Sequence, residues 1–285
     1  MSSLAELIKD LRNKTGAGFL DCKNALSENN NDLDKSIEYL RKKGLAKASK
    51  KTSREANEGA IGIYSNDKKI VIIKINSETD FAAKSETFLN FLDDLGKLAL
   101  DTQENNLNKD SFLKLLHNGE TVSDYINSMI AKIGENLILN DLIVTSNSSS
   151  FSFYIHNSYK KNIGKIISLI EYNSEKIDDK IKALAKNLCM HIAAMKPESL
   201  DVEDLNQDII NKEKSIQKEL ILSSGKPTNI VEKILEGKMK KFFSEVTLLN
   251  QRYVLDPDKS IKEVIKSEFT DDNFQIKTFN FISLT

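Results

Sequence analysis

Lys69-Ile70-Val71-Ile72-Ile73-Lys74-Ile75, running into Asn76-Ser77-Glu78-Thr79-Asp80-Phe81, is the stretch on which the fold turns. Its isoleucines and valine read as a strand, and the polar residues after them read as a turn that brings a carboxylate and a large aromatic to the start of a helix. Ala60 to Tyr64 and the turn Ser65-Asn66-Asp67 supply the other arm of a β-hairpin. Downstream, Phe88, Phe91, Leu92, Leu95 and Leu98 keep one helical face. A further helix from Thr121 is expected to carry Val122, Ile126, Met129, Ile130, Ile133 and Leu137. These apolar faces are read as core.

The second half replays the pattern. Phe151 to His156 and Ile163 to Tyr172 form another hairpin-like pair. The pair ends in Asn173-Ser174-Glu175, and a helix with Ile177, Ile181, Leu184, Leu188 and Ile192 follows. Strand, Asn-Ser-Glu and helix therefore occur twice, which suggests two related subdomains. The second copy continues into Lys176-Ile177-Asp178, so the scaffold does not itself demand the Asp-Phe pair of the first.

Ahead of both copies lies a small helical unit. Leu4, Leu7, Ile8 and Leu11 recur at i, i+3, i+4, i+7, and Thr15-Gly16-Ala17-Gly18 breaks the stripe. Phe19, Cys22, Ala25 and Leu26 line a second helix. Asn31 with Asp34 reads as the start of a third, which carries Leu33, Ile37 and Leu40 and ends at Gly44. So small a unit buries little surface and suits docking better than catalysis. Lys47, Lys50, Lys51 and Arg54 then share one face of an expected linker helix. No aromatics interleave them, so a solvated linker is preferred over an RNA site.

Lys196-Pro197 closes the helix of the second copy. Leu205, Ile209, Ile216 and Leu220 follow at coiled-coil spacing. Ser224-Gly225-Lys226-Pro227 reverses the chain into a helix with Ile230, Val231, Ile234 and Leu235, giving an antiparallel helical hairpin. A short helix near Ile261 to Ile265 and a strand-like tail from Phe274 to Ile282 complete the chain. The expected organisation is residues 1–44 as the helical module, 45–58 as the basic linker helix, 59–140 as core subdomain 1, 141–200 as the first part of core subdomain 2, 201–241 as the hairpin and 242–285 as the closing segment of subdomain 2.

The 285 residues suit roughly two domains at about 150 residues each. With 41 basic and 42 acidic residues the net charge is -1, which leaves no global field for a polyanion, so nucleic acid is not an expected partner. Cys22 and Cys189 lack Cys-x-x-Cys spacing, and a reducing cytoplasm is the expected setting. The N-terminus lacks a signal-peptide pattern, and no segment approaches the ~20 apolar residues of a membrane span. His117, His156 and His191 form no metal-ligand spacing with the cysteines, so neither metal nor cofactor is expected. His191 shares the face of Leu184 and Leu188 and reads as a satisfied core histidine. No nucleophile elbow, phosphate loop or dinucleotide fingerprint is present, and no residue is assigned a catalytic role.

Two readings of Asp80-Phe81 stand side by side. Ser77-x-x-Asp80 has the spacing of a capping box, with Phe81 at N4 packing within its own subdomain. Alternatively the pair is presented to a partner from a turn on a rigid scaffold.

The residues also carry a resemblance. Leu11-Arg12, Thr15-Gly16-Ala17-Gly18-Phe19-Leu20-Asp21-Cys22-Lys23-Asn24-Ala25-Leu26 and Leu40-Arg41-Lys42-Lys43-Gly44 resemble the N-terminal module of bacterial translation elongation factor Ts. Asn76 to Phe81 is similar to its Thr-Asp-Phe segment. Tyr154-Ile155-His156, Met190-His191-Ile192-Ala193-Ala194 with Lys196-Pro197, and Ser224-Gly225-Lys226-Pro227 leading to Glu236-Gly237-Lys238-Met239-Lys240-Lys241 follow in the family's order.

The resemblance implies an α+β fold. Its parts are a three-helix, ubiquitin-associated-like N-terminal module, two related α+β core subdomains with antiparallel sheets, and an inserted antiparallel helical hairpin. It implies a non-enzymatic guanine-nucleotide exchange factor that binds elongation factor Tu with GDP, displaces Mg²⁺ and promotes GDP release. Arg12, Phe19 and Leu20 become docking candidates. Thr79, Asp80, Phe81 and Ala82 become the segment that dislodges Mg²⁺, and His156 an interface candidate. A homodimer through the hairpin is left open. Many family members continue past the final strand into a helical extension that touches the GTPase again, whereas this sequence stops at Thr285, and either weaker docking or a compensating contact is the expectation from that difference.

Overall fold

The computed structural model describes residues 3–104, 107–146, 150–175, 177–224, 227–269 and 274–284, without the side chains of 45–47, 49, 146, 228 and 229. Gly225 and Lys226 of the expected reversal, Lys176, and the side chain of Lys47 lie outside the described residues. The chain divides into two compact units, one of Met1–Ser148, Asn157–Lys165 and Ser283–Thr285, the other of Ser149–His156 and Ile166–Ile282.

The first unit opens with α1 (Leu4–Thr15), α2 (Phe19–Glu28) and α3 (Leu33–Ser49). Ser3 and Glu6 form a capping box at the start of α1. The third helix is capped by Asp32, which accepts from Lys35 N–H, and not by Asn31 as the sequence suggested. Ile8, Leu11, Cys22, Ala25, Leu26 and Leu40 close the small core of this module.

Gly44 does not end α3. A Cβ at Gly44 would lie 3.1 Å from the Cβ of Ala131, so the glycine serves close packing between two helices and the helix runs on to Ser49. The separate linker helix of the sequence reading is thus in part the last turn of α3. Two of its basic residues tie to the core. Lys51 Nζ donates to the carbonyl of Gly134, and Arg54 lies 3.4 Å from the Glu78 carboxylate.

Next come β1 (Glu58–Ser65) and β2 (Lys69–Ser77), an antiparallel hairpin with register from Glu58↔Ser77 to Ser65↔Ile70. Then follow α4 (Asp80–Lys84), α5 (Glu86–Asp101), α6 (Lys109–Lys114), a two-residue pair β3 (Leu116–His117) and β4 (Glu120–Thr121), α7 (Val122–Ile133) and β5 (Leu137–Ser146). Leu137 was expected on the helix. Gly134, at φ 89°, caps α7 in the left-handed region, and Leu137 instead begins a strand paired antiparallel to β2. Phe88, Phe91, Leu92, Leu95, Ile126 and Ile130 pack beneath the sheet with Val71, Ile73 and Ile75.

Two strands contribute to both units: β6 (Ser150–Lys160) and β7 (Ile163–Asn173), which pair with each other. Within the first unit, Ile163 and Gly164 of β7 pair with Gly62 and Ile61 of β1. The second unit continues with α8 (Asp179–Met195), α9 (Gln207–Ser223), α10 (Thr228–Val246), the short pair β8 (Arg252–Tyr253) and β9 (Asp256–Ser260), α11 (Ile261–Glu268) and β10 (Gln275–Ser283), which pairs with β7. Asp178 caps α8, which leaves Ile177 outside the helix and 46% exposed. Ile181, Leu184, Leu188 and Ile192 join Ile170, Ile261, Val264 and Ile276 in the core of this unit.

The hairpin differs from its expected seam. Leu205 precedes α9, and Ile209, Ile216 and Leu220 remain exposed. The two helices instead meet at Ile221, Val231, Leu235 and Met239, with Ile210, Ile234, Phe242 and Phe243 partly buried around them. The seven-residue spacing marked a stripe that faces outward. At its base Ser199 and Thr247 form a parallel bridge, with Glu198 N–H donating to Val246 O at 2.8 Å and Leu248 N–H to Ser199 O at 2.9 Å.

Candidate functional site

Strand β2 ends at Ser77, and two residues later Thr79 caps α4, its Oγ1 accepting from Ala82 N–H at 3.2 Å. The expected Ser77/Asp80 capping box does not form: the cap lies two residues later at Thr79, and Ala82 at the third helical position has no polar side chain to reach back. Ser77 Oγ donates to Thr79 O at 2.9 Å, and Asp80 occupies the first helical position. Phe81 falls at the second position, not the fourth, and is 83% exposed. Ala82 and Ala83 are buried and seat the short helix. Of the four residues singled out here, Thr79, Asp80 and Phe81 share an outward turn, and Ala82 faces inward.

The Asp80 carboxylate accepts from Lys84 Nζ at 2.7 Å. That bond holds the Asp80 pKa below its ordinary value and raises that of Lys84. Both groups are exposed, so the pair orders the turn surface more than it stabilises the fold.

The turn is fastened from behind by the junction of α7 and β5. Thr79 N–H donates to Glu135 Oε2 at 2.9 Å, and Thr79 Oγ1 donates to Glu135 Oε1 at 2.7 Å. In return Asn136 N–H donates to Glu78 Oε1 at 2.7 Å, and Asn136 Nδ2 donates to Arg54 O at 2.7 Å. The last ladder pair of β2 and β5 is Ser77↔Leu137, so these carboxylate bonds extend the pairing beyond the sheet. Glu135 and Asn136 are not marked by any local motif, because they lie more than fifty residues along the chain from their partners.

In the N-terminal module, Arg12 and Phe19 line a cleft of about 450 Å³ together with Ala5, Lys9 and Ala17. Phe19 is 57% and Leu20 68% exposed, so two large apolar side chains stand open at the start of α2.

In the second unit, His156 is exposed and its Nδ1 lies 3.1 Å from the Tyr154 hydroxyl. Lys186 Nζ sits 5.4 Å above the Tyr154 ring and donates to Phe153 O. His191 is buried as expected. Its Nδ1 accepts from Val254 N–H at 3.3 Å, so Nε2 carries the proton and donates to Gln251 Oε1 at 2.9 Å. Burial pushes its pKa below the ordinary value. The adjacent Val254 and Leu255, which the sequence reading did not single out, are both exposed.

Among the described residues no group of His, Cys, Asp or Glu could hold a metal ion, and no helix is long and apolar enough to cross a membrane. Both cysteines are buried, and desolvation raises both thiol pKa values, that of Cys189 to about 12.

Residues 78–284 match the family model described as Elongation factor TS. The elongation factor Ts of Rickettsia typhi is 40% identical over 281 residues, which cover 98% of this chain and 90% of the relative. That of Paracoccus denitrificans is 41% identical over 92% of this chain and 87% of its own length. That of Halothermothrix orenii is 40% identical over 97% of this chain and 90% of its own.

With the helical module, the antiparallel α+β core and the exposed turn, these matches define a translation elongation factor. Within that class the chain belongs to the elongation factor Ts family. Membership carries a nucleotide-exchange role in protein biosynthesis.

Proposed function

We propose that this protein binds elongation factor Tu in its GDP-bound state, displaces Mg²⁺ and so promotes GDP release, acting in the cytoplasm through coupled binding and without a covalent step. One observation carries the reading: Phe81 is 83% exposed on a turn fastened by four residues, Glu78, Thr79, Glu135 and Asn136. An exposed phenyl on a mobile loop would lose its contact energy to ordering, and a fastened one does not.

Phe81 gains burial only where the partner opens to receive it, so it favours the open, nucleotide-free state. By linkage, GDP weakens the factor's binding by the same ratio as the factor weakens GDP. Asp80 would bring an acidic group toward a site where Mg²⁺ demands near-ideal geometry. Arg12, Phe19 and Leu20 supply a docking surface, and His156 with Tyr154 a further polar contact.

The test is release of fluorescent GDP from elongation factor Tu with and without the intact chain. Acceleration is the expected result. Unchanged release in the presence of a stable complex would replace exchange with simple tethering.

A further inference from the structure

We infer that Glu135 is a positioning residue for the exchange turn, setting the direction of Phe81 without itself touching the partner. The inference rests on the exchange reading above. Its carboxylate uses both oxygens on one residue, Oε2 accepting from Thr79 N–H at 2.9 Å and Oε1 from Thr79 Oγ1 at 2.7 Å. A hydroxyl has a single proton. Once that proton is directed at Glu135, the Thr79 lone pairs are left to receive Ala82 N–H, the bond that starts α4. Glu135 therefore orients the cap, and the cap orients the helix turn on which Phe81 stands.

The position of Glu135 is itself determined. It follows Gly134, the left-handed cap of α7, and precedes Asn136, whose N–H and side chain are held by Glu78 and Arg54. The clasp is reciprocal, since residue 78 binds the backbone of 136 while residue 135 binds the backbone of 79. Purely structural capping of α4 needs only Thr79, which already accepts the Ala82 N–H. Charged bonds to both polar atoms of the cap are stronger than neutral ones and rigidify it.

The test substitutes Glu135→Gln. The amide nitrogen then faces one of the two Thr79 donors, and one bond is lost. In stopped-flow release of fluorescent GDP from elongation factor Tu, the maximal rate should fall about tenfold. The factor concentration at half-saturation should change by less than about threefold, because the docking module is untouched. Thr79 and Ala82 amides should exchange hydrogen faster.

Adding Glu135→Gln to Phe81→Ala should slow exchange no further than Phe81→Ala alone, a non-additivity that a general structural defect would not produce. If Glu135→Gln unfolds the chain, Thr79→Val tests the same clasp by removing the hydroxyl, which breaks its bond to Glu135 and the Ala82 cap together, and the maximal rate should fall at least as far. A parental rate in a folded Glu135 or Thr79 variant, while Phe81→Ala is slow, overturns the positioning role and leaves the exchange reading standing. A parental rate in Phe81→Ala itself would overturn that reading instead.

Discussion

Phe81→Ala removes a phenyl ring from a residue that is 83% exposed, and that exposure sets both halves of the expected outcome. In the isolated chain the ring makes few contacts, so the unfolding free energy should stay within about 0.5 kcal/mol of the parent. In the complex the ring has nearly its whole surface left to bury. Full burial of a phenylalanine contributes about 1.5–3 kcal/mol. Scaled by the 83% still exposed, about 1.2–2.5 kcal/mol remains to be gained on docking. If that gain appears only as the partner opens, its loss slows GDP release by about 8- to 70-fold. Stopped-flow release of fluorescent GDP at saturating factor measures it, with denaturant unfolding as the control. A rate within about twofold of the parent would show that the ring is not used in the opening step. A stability loss above about 1 kcal/mol would show that it packs within its own fold.

Phe19→Ala with Leu20→Ala, at positions 57% and 68% exposed, should leave the unfolding midpoint unchanged and weaken association with elongation factor Tu by at least about tenfold, measured by titration calorimetry. Gly44→Val should destabilise the first unit by about 1–3 kcal/mol in denaturant unfolding, since a Cβ there already lies 3.1 Å from that of Ala131. His191 has a folded-state pKa below its ordinary 6.5, so its contribution to stability is present above that value and is lost as pH falls through the folded pKa. The thermal stability of the second unit should accordingly fall below about pH 6.5, with a flatter profile in His191→Gln.

The hairpin around Ile70 to Ile75 was legible because both faces of its strand are buried and its turn is local. Helices α5 and α8 were legible from periodicity. What escaped depended on partners distant in sequence. Gly44 looked like a helix terminator until Ala131 supplied the reason for a missing Cβ. The seven-residue stripe of Ile209 and Ile216 looked like a seam, although Ile210 and Ile221 face α10. At the site, Asp80 and Phe81 could be picked out from the chain alone. Glu135 could not, because a carboxylate after a helical stretch has no local mark that ties it to Thr79.

The bridge between Ser199 and Thr247 has a further consequence for the α9–α10 hairpin. The backbone closes upon itself below the insertion, and the insertion carries its own small apolar cluster apart from the core beneath α8. Loop-closure entropy changes slowly with length. The arm above the bridge is thus an appendage whose length can vary while the body that carries it stays the same, and it can fray and re-form as a cooperative unit of its own.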